Sequence, residues 1–202
     1  STIQILAGGD GKESNLLFGA PDDADVGQIS YDHNGDQMKF IVGTSEKFRV
    51  NSHGLCIGGT GSSNGLDDYE EGSWTPELRF GGSSSGITYN HRDGSYTKVG
   101  RVVIINWVFA LSDKGSQTGH AEVHGIPFNA ADLLGSTTIE SNGMAAWWDN
   151  VDPNLYAIMY HTNSAHIEIK CIDSTEDTPP DMTNSNFLDN TSMRGSLIYF
   201  AA

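Results

Sequence analysis

Between Val102 and Leu111 the chain reads VVIINWVFAL, apolar at every position except Asn106. A run so rich in β-branched and aromatic residues predicts a strand. Successive side chains on a strand point to opposite faces, so this strand must be covered on both. In a β-sandwich the facing sheet covers one side, and the other side needs a further partner such as a second subunit. The run is far shorter than the roughly 18 apolar residues of a membrane-crossing helix, and no run of that length occurs elsewhere.

The rest of the chain supports an all-β reading. No window carries the 3.6-residue apolar repeat of an amphipathic helix. Glycine is abundant, at 24 of 202 residues, while charged residues make up only 18%, a composition suited to short strands joined by tight turns. Eleven Lys and Arg stand against 26 Asp and Glu, a formal charge of −15. That field repels polyanions, so nucleic acid and anionic lipid surfaces are not expected partners. Cys56 and Cys171 are the two cysteines. They form no disulfide framework and no zinc spacing, and are expected to be buried free thiols of a protein made in a reducing compartment. The opening STIQILAGGDGKES has no basic start followed by an apolar run, so no signal peptide is expected.

Two halves differ in pattern. Residues 1–65 hold short strands and turns. GQISYDHNGDQMKFIV reads as a hairpin with Asn34-Gly35 in a type I′ turn, and EKFRVNSHGLCIGG continues with alternating Phe48 and Val50. This half has too few large apolar residues to bury a core alone and needs repetition or association. Residues 66–73 are acidic and bounded by glycines: Asp67, Asp68, Glu70 and Glu71 read as a solvated linker. Residues 74–202 are expected to form an antiparallel β-sandwich of seven or eight strands. Its HIEIKC segment alternates strictly, with Ile167, Ile169 and Cys171 on one face and His166, Glu168 and Lys170 on the other.

The stretches LDDYEEGSWTPELRFGG, GITYNHRDGSYTKVGRVVIINWVFAL, HGIPF and FLDNTSMRGSLIYFAA together resemble the C-terminal receptor-binding module of bacteriophage tail fibres. Upstream, ADVGQISYDHNGDQMKFIVGTSEKFRVNSHGLCIGG resembles the stem repeats that precede such modules. The resemblance implies a parallel homotrimer, an intertwined β stem followed by a β-sandwich tip. It implies attachment to a bacterial surface glycan or outer-membrane receptor, a place in the virion tail beside the other tail components, and synthesis in the host cytoplasm. The self-cleaving chaperone domain of some relatives is not seen, so folding is expected to rely on the chain itself or a separate helper.

Candidate site residues follow from chemistry. In GMAAWWDN, Trp147 and Trp148 are adjacent and must face opposite ways. One is expected to anchor the core. The other lies at a subunit interface or is exposed as a stacking platform for sugar, with Asp149 beside it. The long loop from Ser174 to Asn186 adds Asp177, Asp181, Asn184 and Asn186 as candidate receptor contacts. Val103, Ile105 and Trp107 are expected at the trimer interface. No catalytic residue, cofactor or metal ligand is assigned. The acids at 67–71 lack the rigid, buried setting a glycosidase pair needs, so a capsule or lipopolysaccharide depolymerase is the alternative reading. DHNGD, Asp32 to Asp36, lacks the glutamate of an EF-hand loop and reads as a turn. His120 and His124 lie four apart without a helix to align them, and His33 and His53 sit in turns.

Overall fold

A computed structural model describes residues 2–131, 142–151, 157–163, 165–172 and 180–202. Residue contacts divide the chain into two units, Ser1–Asp68 and Tyr69–Ala202.

The first unit is one antiparallel meander whose strands pair in chain order: β1 (Glu13–Ala20), β2 (Asp23–Asp32), β3 (Gln37–Val42), β4 (Ser45–Asn51), β5 (Gly54–Ile57) and β6 (Gly65–Leu66). A single sheet has no second layer to pack against, so it cannot enclose a core. Among its described residues only Ser30 and Cys56 are buried, while Leu16, Leu17, Phe18, Val42, Val50 and Ile57 are exposed. Phe40 and Phe48, register partners on β3 and β4, stack at 4.2 Å between ring centroids.

The β2–β3 hairpin forms, but its turn is not the expected type I′. Asp32 pairs with Gln37, leaving four residues in the loop, and Asp36 takes the left-handed conformation at φ 47°. The Asp32 carboxylate explains the difference. It accepts the Asn34 amide at 3.0 Å, the Gln37 side-chain amide at 3.0 Å and the Lys39 ammonium at 2.9 Å. A carboxylate that accepts the amide two residues on closes an Asx turn, which here overrides the Asn-Gly preference. Lys39 first, then the Asn34 amide and Gln37, hold the Asp32 carboxyl down to about 2.

Among the described residues the second unit has nine strands: β7 (Tyr69–Trp74), β8 (Glu77–Phe80), β9 (Thr88–Val99), β10 (Val102–Asp113), β11 (Ala121–His124), β12 (Asn142–Val151), β13 (Ala157–Asn163), β14 (His166–Ile172) and β15 (Phe187–Phe200). They form one continuous sheet, ordered β7-β9-β10-β15-β12-β13-β14-β11-β8, rather than the two expected. Its two ends share a single core. Leu78 and Phe80 from β8, Val123 from β11 and Ile167 and Ile169 from β14 cluster with Ile105, Phe109, Met193 and Leu197 from β10 and β15. Phe80 meets Phe187 edge-on at 5.2 Å, and the Tyr89 hydroxyl accepts the Leu78 amide at 2.8 Å. The sheet is therefore folded over onto itself.

Two expectations are corrected here. The acidic stretch is not a linker throughout: Tyr69–Trp74 is the edge strand β7, paired with β9 from Tyr69↔Val99 to Trp74↔Gly94. Charge on an edge strand deters pairing with another chain, so Glu70 and Glu71 are at home there. Val103, Ile105 and Trp107, expected at the trimer interface, lie on the inner face of this chain's own sheet. They are 0%, 0% and 4% exposed within this chain's own core, with Phe109 and Leu111 continuing the same face. The sequence pattern could not separate the faces because both are apolar. Strand alternation places Val102, Ile104, Asn106 and Val108 on the outer side.

Candidate functional site

The outer face of the sheet is built from cross-strand rows. Trp107 on β10 lies opposite Gly94 on β9 and Gly195 on β15, so the large indole is flanked by a residue without a side chain on either strand. A Cβ at Gly94 would come within 2.5 Å of the Trp74 Nε1, which fixes glycine there. Trp74 and Trp107 meet edge-on at 6.1 Å beneath the sheet. Each glycine is preceded by a charged residue and followed by serine: Asp93-Gly94-Ser95 and Arg194-Gly195-Ser196. Alternation turns the charged residues and serines outward on both sides of β10.

One row runs Asp93, Val108, Arg194, Trp147 across β9, β10, β15 and β12, and the next runs Ser73, Ser95, Asn106, Ser196 from β7 to β15. Between them lies an open depression of about 460 Å³, lined by Ser73, Asp93, Ser95, Asn106, Val108 and Arg194. One Asp93 oxygen accepts the Gly94 amide at 2.8 Å, and the other retains acceptor capacity. At the rim, Trp147 is 44% exposed, with the Arg194 guanidinium 5.3 Å from its ring centroid. That cation–π contact orients both side chains. Trp148 packs against the core. The two indoles thus part as strand alternation requires.

An open, mixed surface of this kind, with a carboxylate, an amide, hydroxyls, a guanidinium and an aromatic plane, can stack on the apolar face of a sugar ring and bond its hydroxyls. In the next two rows the same face becomes more apolar: Ile104 and Ile198 share the first with Glu71 and Thr97, Tyr69, Val99 and Phe200 lie in the second, and these five apolar residues are all exposed, Ile198 by 54%.

The other candidate residues lie elsewhere. Asp149 is exposed on β12, and one of its oxygens accepts the Asn150 amide at 3.0 Å. Asp181 is ion-paired with Lys170 and lies 3.2 Å from His120 Nδ1. The side-chain oxygen of Asn184 accepts the Gly119 amide at 3.0 Å, and that of Asn186 accepts the Thr183 amide at 2.8 Å. Asn186 thus closes its own turn and Asn184 ties that turn to Gly119, structural roles that a sequence scan for polar loop residues cannot distinguish from ligand contacts. Asp177 lies outside the described residues. Sequence reasoning missed Asp93, Asn106 and Arg194. The signal available for them was the repeated charged-Gly-Ser triplet, which has meaning only once β9 and β15 are known to flank Trp107.

No protein-family model matches the chain, and no curated protein matches it in sequence. Among solved structures, the Dettilon tailspike protein has a similar fold, with a TM-score of 0.51 at 17% identity. The likeness covers 65% of this chain and 24% of the tailspike.

Proposed function

We propose that this chain is the receptor-binding end of a phage tail appendage, which attaches to a bacterial surface glycan without cleaving it. The exposed Trp147, braced by Arg194 at the rim of the polar depression, is the observation that carries this reading. The fold likeness to a tailspike and the resemblance of the sequence to tail-fibre ends agree with it. Among the described residues that line the depression, Asp93 is the one carboxylate, whereas glycoside hydrolysis commonly uses two. The formal charge of −15 favours a glycan of low charge over an acidic one.

Self-association belongs to the same proposal. A meander with almost no buried residues and an outer face carrying Ile104, Ile198 and Phe200 both need cover, and a parallel trimer supplies it for each. The apolar end of the outer face is then the subunit contact, and the polar end with Trp147 stays free for ligand. Three copies of a weak site on one body raise avidity by about two to four orders of magnitude.

The test measures adsorption of purified protein to susceptible cells and binding to their isolated polysaccharide. Trp147→Ala and Arg194→Ala should keep the fold and weaken binding by about tenfold or more, as central aromatic and arginine contacts do. Normal adsorption by both variants would sink this site. Sustained release of new reducing ends from the polysaccharide would replace adhesion with depolymerisation.

A further inference from the structure

On the other half of the folded sheet, strand register brings together side chains that are far apart in sequence. His124 on β11 lies directly opposite His166 on β14, and Glu122 lies directly opposite Glu168. The two imidazoles stack at 4.8 Å between centroids, 14° from parallel. The Glu122 carboxylate reaches His124 Nε2 at 2.8 Å. One ligand atom from each of Glu122, His124 and His166 lies within 4.8 Å of the other two, and all three side chains are half-buried. We propose that Glu122, His124 and His166 form a binding site for a divalent transition-metal ion, zinc being the best match.

The donor set carries the argument. Two imidazoles and one carboxylate suit zinc better than calcium or magnesium, which prefer all-oxygen cages. Three protein ligands leave a fourth tetrahedral position for water or another donor. The framework is firm, because the inward neighbours Val123 and Ile167 are fully buried in the core. Ligands on adjacent strands backed by a core are held in place before the ion arrives. The surrounding charges favour a cation. Glu122 and Glu168 face each other as like charges, an arrangement that is destabilising across a strand pair unless positive charge intervenes. Arg79, opposite Glu122 on β8, pairs with Glu77 at 2.6 Å, and Lys170 is shared between Asp181 and, at 3.5 Å, Glu168, so carboxylates outnumber cations around the site.

Spacing along the chain hides this site. His124 and His166 belong to no short motif, and His120, four residues before His124, makes a different contact with Asp181. The inference is independent of glycan binding.

The experiment is calorimetric titration of the EDTA-treated, dialysed full chain with zinc chloride, alongside His124→Ala, His166→Gln and the control His120→Ala. Wild type and His120→Ala should bind one zinc per chain. The His124 and His166 variants should lose at least about tenfold in affinity, no less than the loss of an outer-shell partner. Circular dichroism establishes that each variant is folded. Cobalt in place of zinc should give the intense visible absorption of a four-coordinate ion in wild type and lose it in His166→Gln. Equal zinc affinity in wild type and in folded His124→Ala and His166→Gln would overturn the site, as would the lack of any saturable zinc binding by the wild type.

Discussion

The units Ser1–Asp68 and Tyr69–Ala202 are both antiparallel and rich in glycine, yet only the second has a core. The difference is one of topology. In the first unit strands pair strictly in chain order in a lone sheet, and among its described residues only Ser30 and Cys56 are buried. In the second, the long step from β10 to β15 and the return through β12, β13, β14 and β11 to β8 fold the sheet across itself and bury Ile105, Phe109, Ile167 and Leu197 together. A β chain thus gains an interior by acquiring a second layer, and alternation of apolar residues does not supply one by itself.

The contrast can be broken most sharply on β10, where neighbouring residues serve opposite faces. Ile105→Asp places an unpaired charge in the folded core and should cost more than about 4 kcal/mol, abolishing the cooperative thermal transition of Tyr69–Ala202. Ile104→Asp, one residue away, should leave that transition within about 1 kcal/mol of wild type. In the trimer proposed above it should, however, convert sedimentation from a mass near three chains of 21.8 kDa to one. If the two variants behaved alike, the division of faces would be wrong.

A smaller effect sharpens the core side of the comparison. Gly94→Ala forces a methyl group against the Trp74 indole and should cost about 1–3 kcal/mol by chemical denaturation. Ser95→Ala, its outward neighbour, should be nearly neutral for stability.

The smallest effect concerns the meander, whose order rests on polar contacts. The Asp32 carboxyl is lowered from 3.8 to about 2 by Lys39, the Asn34 amide and Gln37. Its stabilising contribution is therefore complete above about pH 4 and lost as the pH falls through about 2. Carboxyl resonances followed by NMR should place the Asp32 midpoint near 2, and Asp32→Asn should remove that part of the acid dependence of the β2–β3 hairpin. A midpoint at the ordinary aspartate value would show that these contacts do not persist in solution.

Much of the architecture was legible before any coordinates. The all-β character, the core-poor first half, the inward Ile167, Ile169 and Cys171, and the opposed Trp147 and Trp148 all follow from period-two alternation. What alternation cannot say is which face of VVIINWVFAL is inner, since both sets are apolar, and so Val103, Ile105 and Trp107 were expected on the wrong side. Nor can it give register between distant strands. Asp93 and Arg194 become neighbours across Val108, and His124 meets His166, only through pairings that no local motif announces. The Asn34-Gly35 turn went astray for a different reason, because one upstream carboxylate, Asp32, outweighed a dipeptide preference.

The place of β15 has a consequence in time. Phe187–Phe200 lies between β10 and β12, near the middle of the sheet, although it comes after the other eight strands in chain order. Until it arrives, Ile105, Trp107 and Phe109 lie on a strand with an open edge, and the path back to β8 is broken. The second unit therefore cannot assemble piecemeal during synthesis, and its folding must wait for contacts nearly a hundred residues apart, a topology that slows folding. Any message interrupted before Phe187 yields a chain with an unpaired apolar strand, prone to aggregation and degradation.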